Sequence, residues 1–239
     1  MLENTEAIVL QSRKYSETSK IAVLYTKEFG KISVIAKGAM RKKSKFGSAL
    51  DPLSYTDILF YKKPNRSLHL LSNSELNEPL RKIHKSMDHM ASGLMILEIL
   101  SRTQSENDPS SEIFELTLAS LKELNLLKSN PQNLFLTFTL NLLKFMGFGI
   151  DVETDHIKKN NYDFSLSDGS ISSGNGRTMK VQSNIWEILK NLYYSKIENV
   201  YTIDCNKTEF WKSYDLLMSY TGFHLESNFN LRSRSLLML

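Results

Sequence analysis

Near residue 77 the spacing of apolar residues changes, and this change constrains the fold more than any other feature of the sequence. Before it, apolar and polar residues alternate in short runs, which is the period of a β-strand. After it, apolar residues recur every three or four positions, which is the period of an amphipathic helix. A chain that separates its strand and helix patterns in this way is typical of an α+β fold. We therefore predict a β domain over residues 1–78 and a helical domain over residues 79–239.

The first domain carries five short strand patterns separated by turn signals. The predicted strands are residues 6–12, 21–25, 31–37, 53–62 and 67–72. Five short strands with no helix pattern between them favour a small closed barrel. This is the architecture of the OB-fold, which binds single-stranded nucleic acid and oligosaccharides. The sequence thus predicts an N-terminal five-stranded OB-fold barrel.

The second domain is predicted to be all-α apart from one polar segment. A helix is predicted from Pro79 because proline fits the first helical turn, and its apolar stripe runs through Met87, Met90 and Leu94 to Leu97. Further helices are predicted after residues 109–111, after residues 130–131, over residues 185–194 and over residues 207–220. The cysteine-free, polar and glycine-rich segment at about 150–180 is predicted to be a loop or irregular β structure.

The stretch from Lys31 to Leu50 concentrates positive charge. It contains no acidic residue and six basic ones, which are Lys31, Lys37, Arg41, Lys42, Lys43 and Lys45. Residues 1–70 hold 13 Lys and Arg against 6 Asp and Glu, a net charge of +7, whereas the rest of the chain carries −3. Cations this close repel one another unless a polyanion or solvent screens them, so the stretch is a candidate phosphate-binding surface. A solvated loop that only keeps the protein in solution is the alternative interpretation.

Other features argue against several classes of function. Cys205 is the single cysteine, which excludes an internal disulfide and a cysteine-based zinc site and is typical of a reducing compartment. Glu3 and Glu6 stand where a signal peptide is basic, and no apolar run is long enough to span a membrane, so we expect a cytoplasmic protein. The five histidines are scattered, and the glycine-rich residues 168–178 lack the Lys-Ser/Thr pair of a phosphate-binding loop. We therefore predict no catalytic site.

A series of short motifs extends over the first domain. In chain order they are Ala7-Ile8-Val9-Leu10, Tyr15-Ser16-Glu17, Thr26-Lys27-Glu28-Phe29-Gly30, Ala36-Lys37-Gly38-Ala39, Lys43-Ser44-Lys45-Phe46 and Leu50-Asp51-Pro52-Leu53. In this order and spacing the series resembles the RecO family of DNA recombination mediators. Beyond residue 80 the resemblance is limited to a helical pattern and to the helix end at Phe145-Met146-Gly147-Phe148.

The resemblance implies a function as well as a fold. RecO proteins have an N-terminal OB-fold and a helical C-terminal domain, and they carry out no enzymatic turnover. They bind single- and double-stranded DNA and anneal complementary strands, and with the partner RecR they help RecA to replace single-strand binding protein. They also contact the acidic C-terminal tail of that binding protein. For this chain the resemblance implies a DNA repair and recombination mediator that is cytoplasmic and associated with the nucleoid.

The resemblance fails at one element. Many RecO proteins carry a four-cysteine zinc element in the helical domain, and the corresponding positions here are near Asp155, Lys158, Ser173 and Gly176. None of these residues is a cysteine, so neither zinc nor any other cofactor is expected for this chain.

The residues predicted to contact DNA belong to the basic stretch and its neighbourhood. Our first choice is Arg41, Lys42, Lys43 and Lys45, with Lys37 at the base of the loop and Lys31 on the strand. Lys20, Lys62, Lys63 and Arg66 extend this surface if the barrel brings their strands alongside. Phe46 and Tyr61 are candidates for stacking on bases, with a place in the barrel core as the alternative.

Three other functions and one partner site are open at this stage. An RNA-binding OB-fold module has the same basic strand–loop pattern, and a non-catalytic protein adaptor uses a basic face to bind an acidic partner. A metal-dependent nuclease is disfavoured because only Asp51 and Asp57 lie near the basic stretch. In the second domain, the apolar helices predict a groove for a partner's hydrophobic C-terminus, with a Lys or Arg pairing its carboxylate.

Overall fold

Five strands at the start of the chain close into a barrel in the computed structural model, which describes residues 1–63, 66–153, 160–171 and 177–237. The strands are β1 (Leu2–Lys14), β2 (Lys20–Thr26), β3 (Gly30–Ala36), β4 (Tyr55–Tyr61) and β5 (Leu68–Glu78). Their order around the barrel is β1-β2-β3-β5-β4, and β4 pairs with β1 to close it. Only the pairing of β3 with β5 is parallel. The predicted α+β fold with an N-terminal OB-fold is confirmed.

The barrel core follows from the alternation of the strands. In β3 every second residue is buried, and Ile32 and Val34 point into the same apolar cluster as Ala22 and Leu24 of β2. The 13-residue strand β1 pairs with β4 along its first half and with β2 along its second half. A register shift between Val9 and Gln11 accompanies this change of partner, as a β-bulge does when it bends a strand around a barrel.

The helical region contains five α-helices among the described residues. They are α1 (Met87–Thr103), α2 (Ser111–Leu124), α3 (Pro131–Phe145), α4 (Ser183–Tyr194) and α5 (Lys207–His224). Local sequence explains their starts: the Ser110 side chain accepts a hydrogen bond from the backbone of α2, and Asn206 with Glu209 forms a capping box on α5. Within the part of the chain that the structure describes, no helix has both the length and the apolar character needed to cross a bilayer.

The start predicted for the first helix is wrong. Strand β5 continues to Glu78, a 3-10 helix covers Arg81–Lys85, and α1 begins only at Met87. The last residues of β5 are mostly polar, yet they pair with β4 as far as the Tyr55–Glu78 pair, so the strand outlasts its apolar pattern. Met87, predicted on the buried stripe, is 50% exposed.

The description of the second domain as all-α also needs correction. A small sheet lies between α3 and α4, with β6 (Asn161–Ser165) in the centre and β7 (Ser170–Ile171) and β8 (Thr178–Gln182) at its edges. Its Phe164 packs against Trp186 of α4 and Tyr220 of α5, with ring centroids 5.8 and 5.4 Å apart. The segment predicted as a loop or irregular β structure therefore contains short strands joined to the helical core.

The chain forms two compact units, and each unit consists of two separate segments of the sequence. The first unit contains residues 1–85 and 97–125, so the second half of α1 and all of α2 accompany the barrel. The second unit contains residues 86–96 and the chain from residue 126 onward. The domain boundary that the sequence predicts between residues 78 and 79 remains a prediction.

Helix α2 packs on the barrel within the first unit. The Phe114 ring stacks on Tyr25 of β2 at 6.4 Å, and Glu115 pairs with Lys27 at 2.9 Å. The link before α2 also contacts the barrel, because the Asn107 N–H donates to the Lys31 carbonyl at 3.0 Å. A Cβ added to Gly30, whose φ is +64°, would lie 2.3 Å from the Asp108 carbonyl oxygen, so this close approach requires glycine.

Candidate nucleic-acid interface

The basic loop, residues 37–54 between β3 and β4, packs against the barrel through its apolar side chains. Phe46 and Leu50 are buried in the barrel core, and Ala39 packs against the same cluster. At the end of the loop, the Leu53 N–H donates to the Val9 carbonyl at 3.2 Å. Local backbone hydrogen bonds close successive turns of the loop, including Arg41 to Gly38 and Ser44 to Arg41. The loop is therefore an ordered platform whose apolar side chains point inward.

The cations of the basic loop point outward. The exposed members are Lys37, Arg41, Lys42, Lys43 and Lys45. Among the described residues none of them forms an ion pair with a carboxylate, and the Lys45 ammonium lies 5.4 Å from the centroid of its neighbour's ring, Phe46. The loop thus presents positive charge that the protein's own described acids do not neutralise.

Lys20 and Lys31 differ from the cations of the loop. Lys20 pairs with Ala36 in the sheet register, which places it at the same end of the barrel as the loop, but its ammonium binds Asp51 at 3.1 Å. Lys31 is partly buried and its ammonium donates to the Ser101 carbonyl at 2.7 Å. Burial lowers the pKa of Lys31, and Glu106 acts in the opposite direction. The structure gives Lys31 an internal partner, and its role as a DNA contact stays a prediction.

The cations after β4 lie at the other end of the barrel. The Lys62 ammonium is 4.5 Å from the Phe29 ring centroid, and Phe29 belongs to the turn between β2 and β3. Lys63 and Arg66 are exposed close by in the chain. The seven residues of β3 separate this end from the basic loop by about 20 Å of strand. The strands therefore do not bring these cations alongside the loop, and they form a separate group whose role in DNA binding stays a prediction.

The two aromatic candidates have different environments. Phe46 is 3% exposed and belongs to the barrel core, so the structure places it as a core residue rather than as a surface for stacking. Tyr61 is 46% exposed at the end of β4, far from the basic loop. Two exposed side chains were not predicted from the sequence: Met40 lies in the loop, and Tyr15 lies in the turn between β1 and β2. The sequence does mark both positions: Tyr15 is an aromatic residue in a turn between two strands, and Met40 is a methionine inside a basic run.

No metal site is found in the described ranges. No group of three or more His, Cys, Asp or Glu residues there has an arrangement that could hold a metal ion. The four positions that correspond to the zinc element, Asp155, Lys158, Ser173 and Gly176, lie outside the described residues. Cys205 is buried in the second unit, and burial raises the pKa of its thiol to about 12, which is unfavourable for a reactive thiolate.

The second unit contains an open cleft of about 1240 Å³. Its walls combine apolar side chains, among them Met179, Met218 and Phe223, with the two arginines Arg177 and Arg234. The Arg234 guanidinium lies 5.9 Å from the centroid of the Tyr214 ring. Asp215 and Glu226 also line the cleft. The cleft offers an apolar surface together with donors for a carboxylate.

Comparison with known proteins gives one consistent result. A family model described as Recombination protein O N terminal matches residues 1–80, and one described as Recombination protein O C terminal matches residues 84–234. The DNA repair protein RecO of Salinibacter ruber is 35% identical over 175 residues, covering 72% of this chain and 67% of the relative. The protein of the same name from Chloroherpeton thalassium is 26% identical over 254 residues, covering 99% of this chain and 98% of the relative.

Proposed function

The chain belongs to the RecO family of DNA repair and recombination proteins, and from this we propose that its barrel binds DNA strands through their phosphates and promotes their annealing. The observation that supports the proposal is the basic loop, where ordered backbone carries exposed cations that no described carboxylate pairs. Neutralising phosphates with these cations releases counterions, which favours binding of any sequence. Because the loop is already folded, little conformational entropy is lost when DNA binds.

Annealing requires that two polyanions be held close together without being cut. Phosphate contacts position a strand and leave its base edges unoccupied, so the bases stay available for pairing with a complementary strand. In this proposal the chain makes and breaks no covalent bond and needs no cofactor. With a RecR-type partner it helps the recombinase RecA to load onto single-stranded DNA that is coated by single-strand binding protein. Both single- and double-stranded DNA are ligands.

The proposal is tested by the salt dependence of binding to a labelled single strand. About five phosphate contacts give a slope of log affinity against log salt near −3.5, since each contact contributes about 0.7. Changing Arg41, Lys42, Lys43 and Lys45 together to Gln should flatten the slope by up to about 2.8 and slow strand annealing, measured with and without single-strand binding protein. The folded structure should persist because all four side chains are exposed.

A matched control removes the same charges elsewhere. Arg232, Lys196, Lys207 and Lys212 are exposed in the second unit and comprise one arginine and three lysines, as the loop set does. Their joint change to Gln should leave the slope unchanged. An unchanged slope in the loop variant would contradict the assignment. Tighter binding of an RNA of equal length favours an RNA-binding module, and absence of binding to bare oligonucleotides at low salt favours a protein adaptor.

We also propose that the cleft in the second unit receives the acidic C-terminal tail of single-strand binding protein. The cleft combines apolar walls with Arg177 and Arg234, which suits a peptide that ends in an apolar residue and a free carboxylate. A labelled tail peptide should bind more tightly than the same peptide with an amidated C-terminus. Equal binding of the two peptides would show that the arginines do not recognise a terminal carboxylate.

A further inference from the structure

The turn between β1 and β2, residues 15–19, and the basic loop are joined into one surface at the same end of the barrel. The Met40 N–H of the loop donates to the Thr18 carbonyl of the turn at 3.0 Å. The turn itself is closed by the Ser19 carbonyl, which accepts from the Tyr15 N–H at 2.9 Å. The register of the strands agrees with this arrangement, because Lys20 pairs with Lys14 on one side and with Ala36 on the other.

This end of the barrel is strongly positive. Residues 13–20 and 37–51 together hold eight Lys and Arg, including Arg13 and Lys14, against the two acids Glu17 and Asp51. Asp51 is already paired with Lys20. Arg13 and Lys14 are exposed at the end of β1, so they add to the charge of the loop. A polyanion drawn to the loop therefore also meets the turn.

Two large apolar side chains are exposed within this positive surface. Tyr15 in the turn is 58% exposed, and Met40 in the loop is 45% exposed. Among the described residues no hydrogen bond engages the Tyr15 hydroxyl and no ring packs on the Tyr15 ring. A single exposed apolar residue needs no explanation, but an aromatic ring and a thioether on two connected segments inside a cationic surface have the composition of a single-strand binding site.

We propose that Tyr15 is the base-stacking element of the DNA site, with Met40 exposed on the adjoining loop, and that Tyr15 takes unpaired nucleobases of single-stranded DNA. This inference rests on the proposed function, because it adds base contacts to the phosphate contacts of the basic loop. Phe46 cannot fill this role since it lies in the barrel core. Stacking tolerates every base, which suits a protein that must hold strands of any sequence. Unpaired bases are free to stack on a ring, whereas duplex bases are already stacked on one another.

Stacking and phosphate contacts are distinguished by salt. Tyr15→Ala should weaken binding of an oligothymidylate of about 16 nucleotides by about 5- to 150-fold. The slope of log affinity against log salt should not change, because stacking releases no counterions. Binding of a duplex of the same length should change by less than about twofold, and Tyr15→Phe, which keeps the ring, should bind the single strand like the wild type. Fluorescence anisotropy at several salt concentrations measures the single-strand and duplex affinities of both variants and the salt slope.

The matched control is Tyr194→Ala, which removes an exposed tyrosine from the second unit and should leave single-strand binding unchanged. The inference is overturned if Tyr15→Ala binds the single strand normally, loses affinity equally for duplex DNA, or changes the salt slope. If the wild type binds and only the Tyr15 result is negative, the proposed function stands and this inference fails. If the wild type binds no oligonucleotide at low salt, both fail.

Discussion

At the scale of single residues, Lys31 and Lys37 show how burial decides the function of a charge. Both are lysines at or near the ends of β3, and the sequence predicts both as DNA contacts. Lys37 is exposed, whereas the Lys31 ammonium is held by the Ser101 carbonyl at 2.7 Å. Burial lowers the pKa of Lys31, which means that the fold disfavours its charged form. Because the Lys31 ammonium is held by its hydrogen bond to the Ser101 carbonyl, we expect Lys31 to act through that internal contact and Lys37 to contribute to binding.

Changing each lysine to methionine tests this division. Lys31→Met should lower the free energy of unfolding by about 1 kcal/mol, since it removes the hydrogen bond to Ser101, and should leave the salt slope of DNA binding unchanged. Lys37→Met should change the free energy of unfolding by less than about 0.5 kcal/mol and should flatten the slope by about 0.7. Urea unfolding and anisotropy titrations measure the two quantities. The reverse pattern would show that Lys31 contacts the phosphates.

At the scale of elements, the basic loop is attached to the barrel by apolar side chains that lie in the barrel core, while its cations are exposed. Lys45 is exposed and Phe46, the next residue, is 3% exposed. Leu50 joins Phe46 in the barrel core. We expect these buried apolar anchors to limit the movement of the loop and so to hold its exposed cations in place.

Removing the anchor should loosen the loop. Phe46→Ala should lower the free energy of unfolding by about 3 kcal/mol or more because it leaves a cavity in the core. It should also speed cleavage by trypsin after Arg41, Lys42, Lys43 or Lys45, because these bonds become accessible when the loop moves. Phe145→Ala is the control, since this exposed phenylalanine ends α3 in the second unit. Mass spectrometry of the fragments locates the cuts, and an unchanged cleavage rate in Phe46→Ala would contradict the anchoring role.

Elements whose burial pattern repeats could be predicted from the sequence, and those held by distant contacts could not. Strands β1 to β4 and helices α2 to α5 were predicted within a few residues of their observed bounds, because their apolar spacing reports one buried face. The end of β5 was missed because its polar residues are held by pairing with β4, and that pairing leaves no apolar alternation. The sheet of β6 to β8 was not resolved into strands for a different reason: its strands are only two to five residues long, too short for a clear alternating pattern.

The candidate site also contains features that the sequence predicts and features that it does not. The exposed cations of the basic loop follow from composition, since adjacent basic residues without acids cannot all be buried. The internal partner of Lys31 is 70 residues away in sequence, and the local pattern does not indicate it. Phe46 and Tyr15 show the converse problem, because an aromatic residue beside lysines has the same sequence signature whether it packs inward or faces solvent. Only the packing in the structure shows that Phe46 lies in the core and that the Tyr15 ring is exposed.

At the scale of the whole molecule, two buried histidines and one half-buried histidine link the stability of the fold to pH. His69 lies in β5, His89 in α1 and His224 at the end of α5, and burial is the main cause that lowers the pKa of each. His69 accepts a hydrogen bond from the Lys63 N–H at its Nδ1 atom, 3.3 Å away, which requires that nitrogen to be unprotonated. The folded structure therefore favours the neutral form of each ring over the protonated form.

The sign of the pH dependence follows from these lowered pKa values. In the unfolded chain a histidine binds a proton below about pH 6.5, while the folded protein still resists protonation, so the stability present above that pH is lost as the pH falls towards the folded-state values. One pH unit below 6.5, each histidine accounts for at most about 1.4 kcal/mol. The free energy of unfolding in urea should thus be lower at pH 5.5 than at pH 7.5, and His69→Gln should reduce that difference. His84→Gln is the matched control, because His84 is exposed on the 3-10 helix and its loss should leave the difference unchanged. If His69→Gln and the wild type lose the same stability, then His69 is not among the groups that take up protons on unfolding.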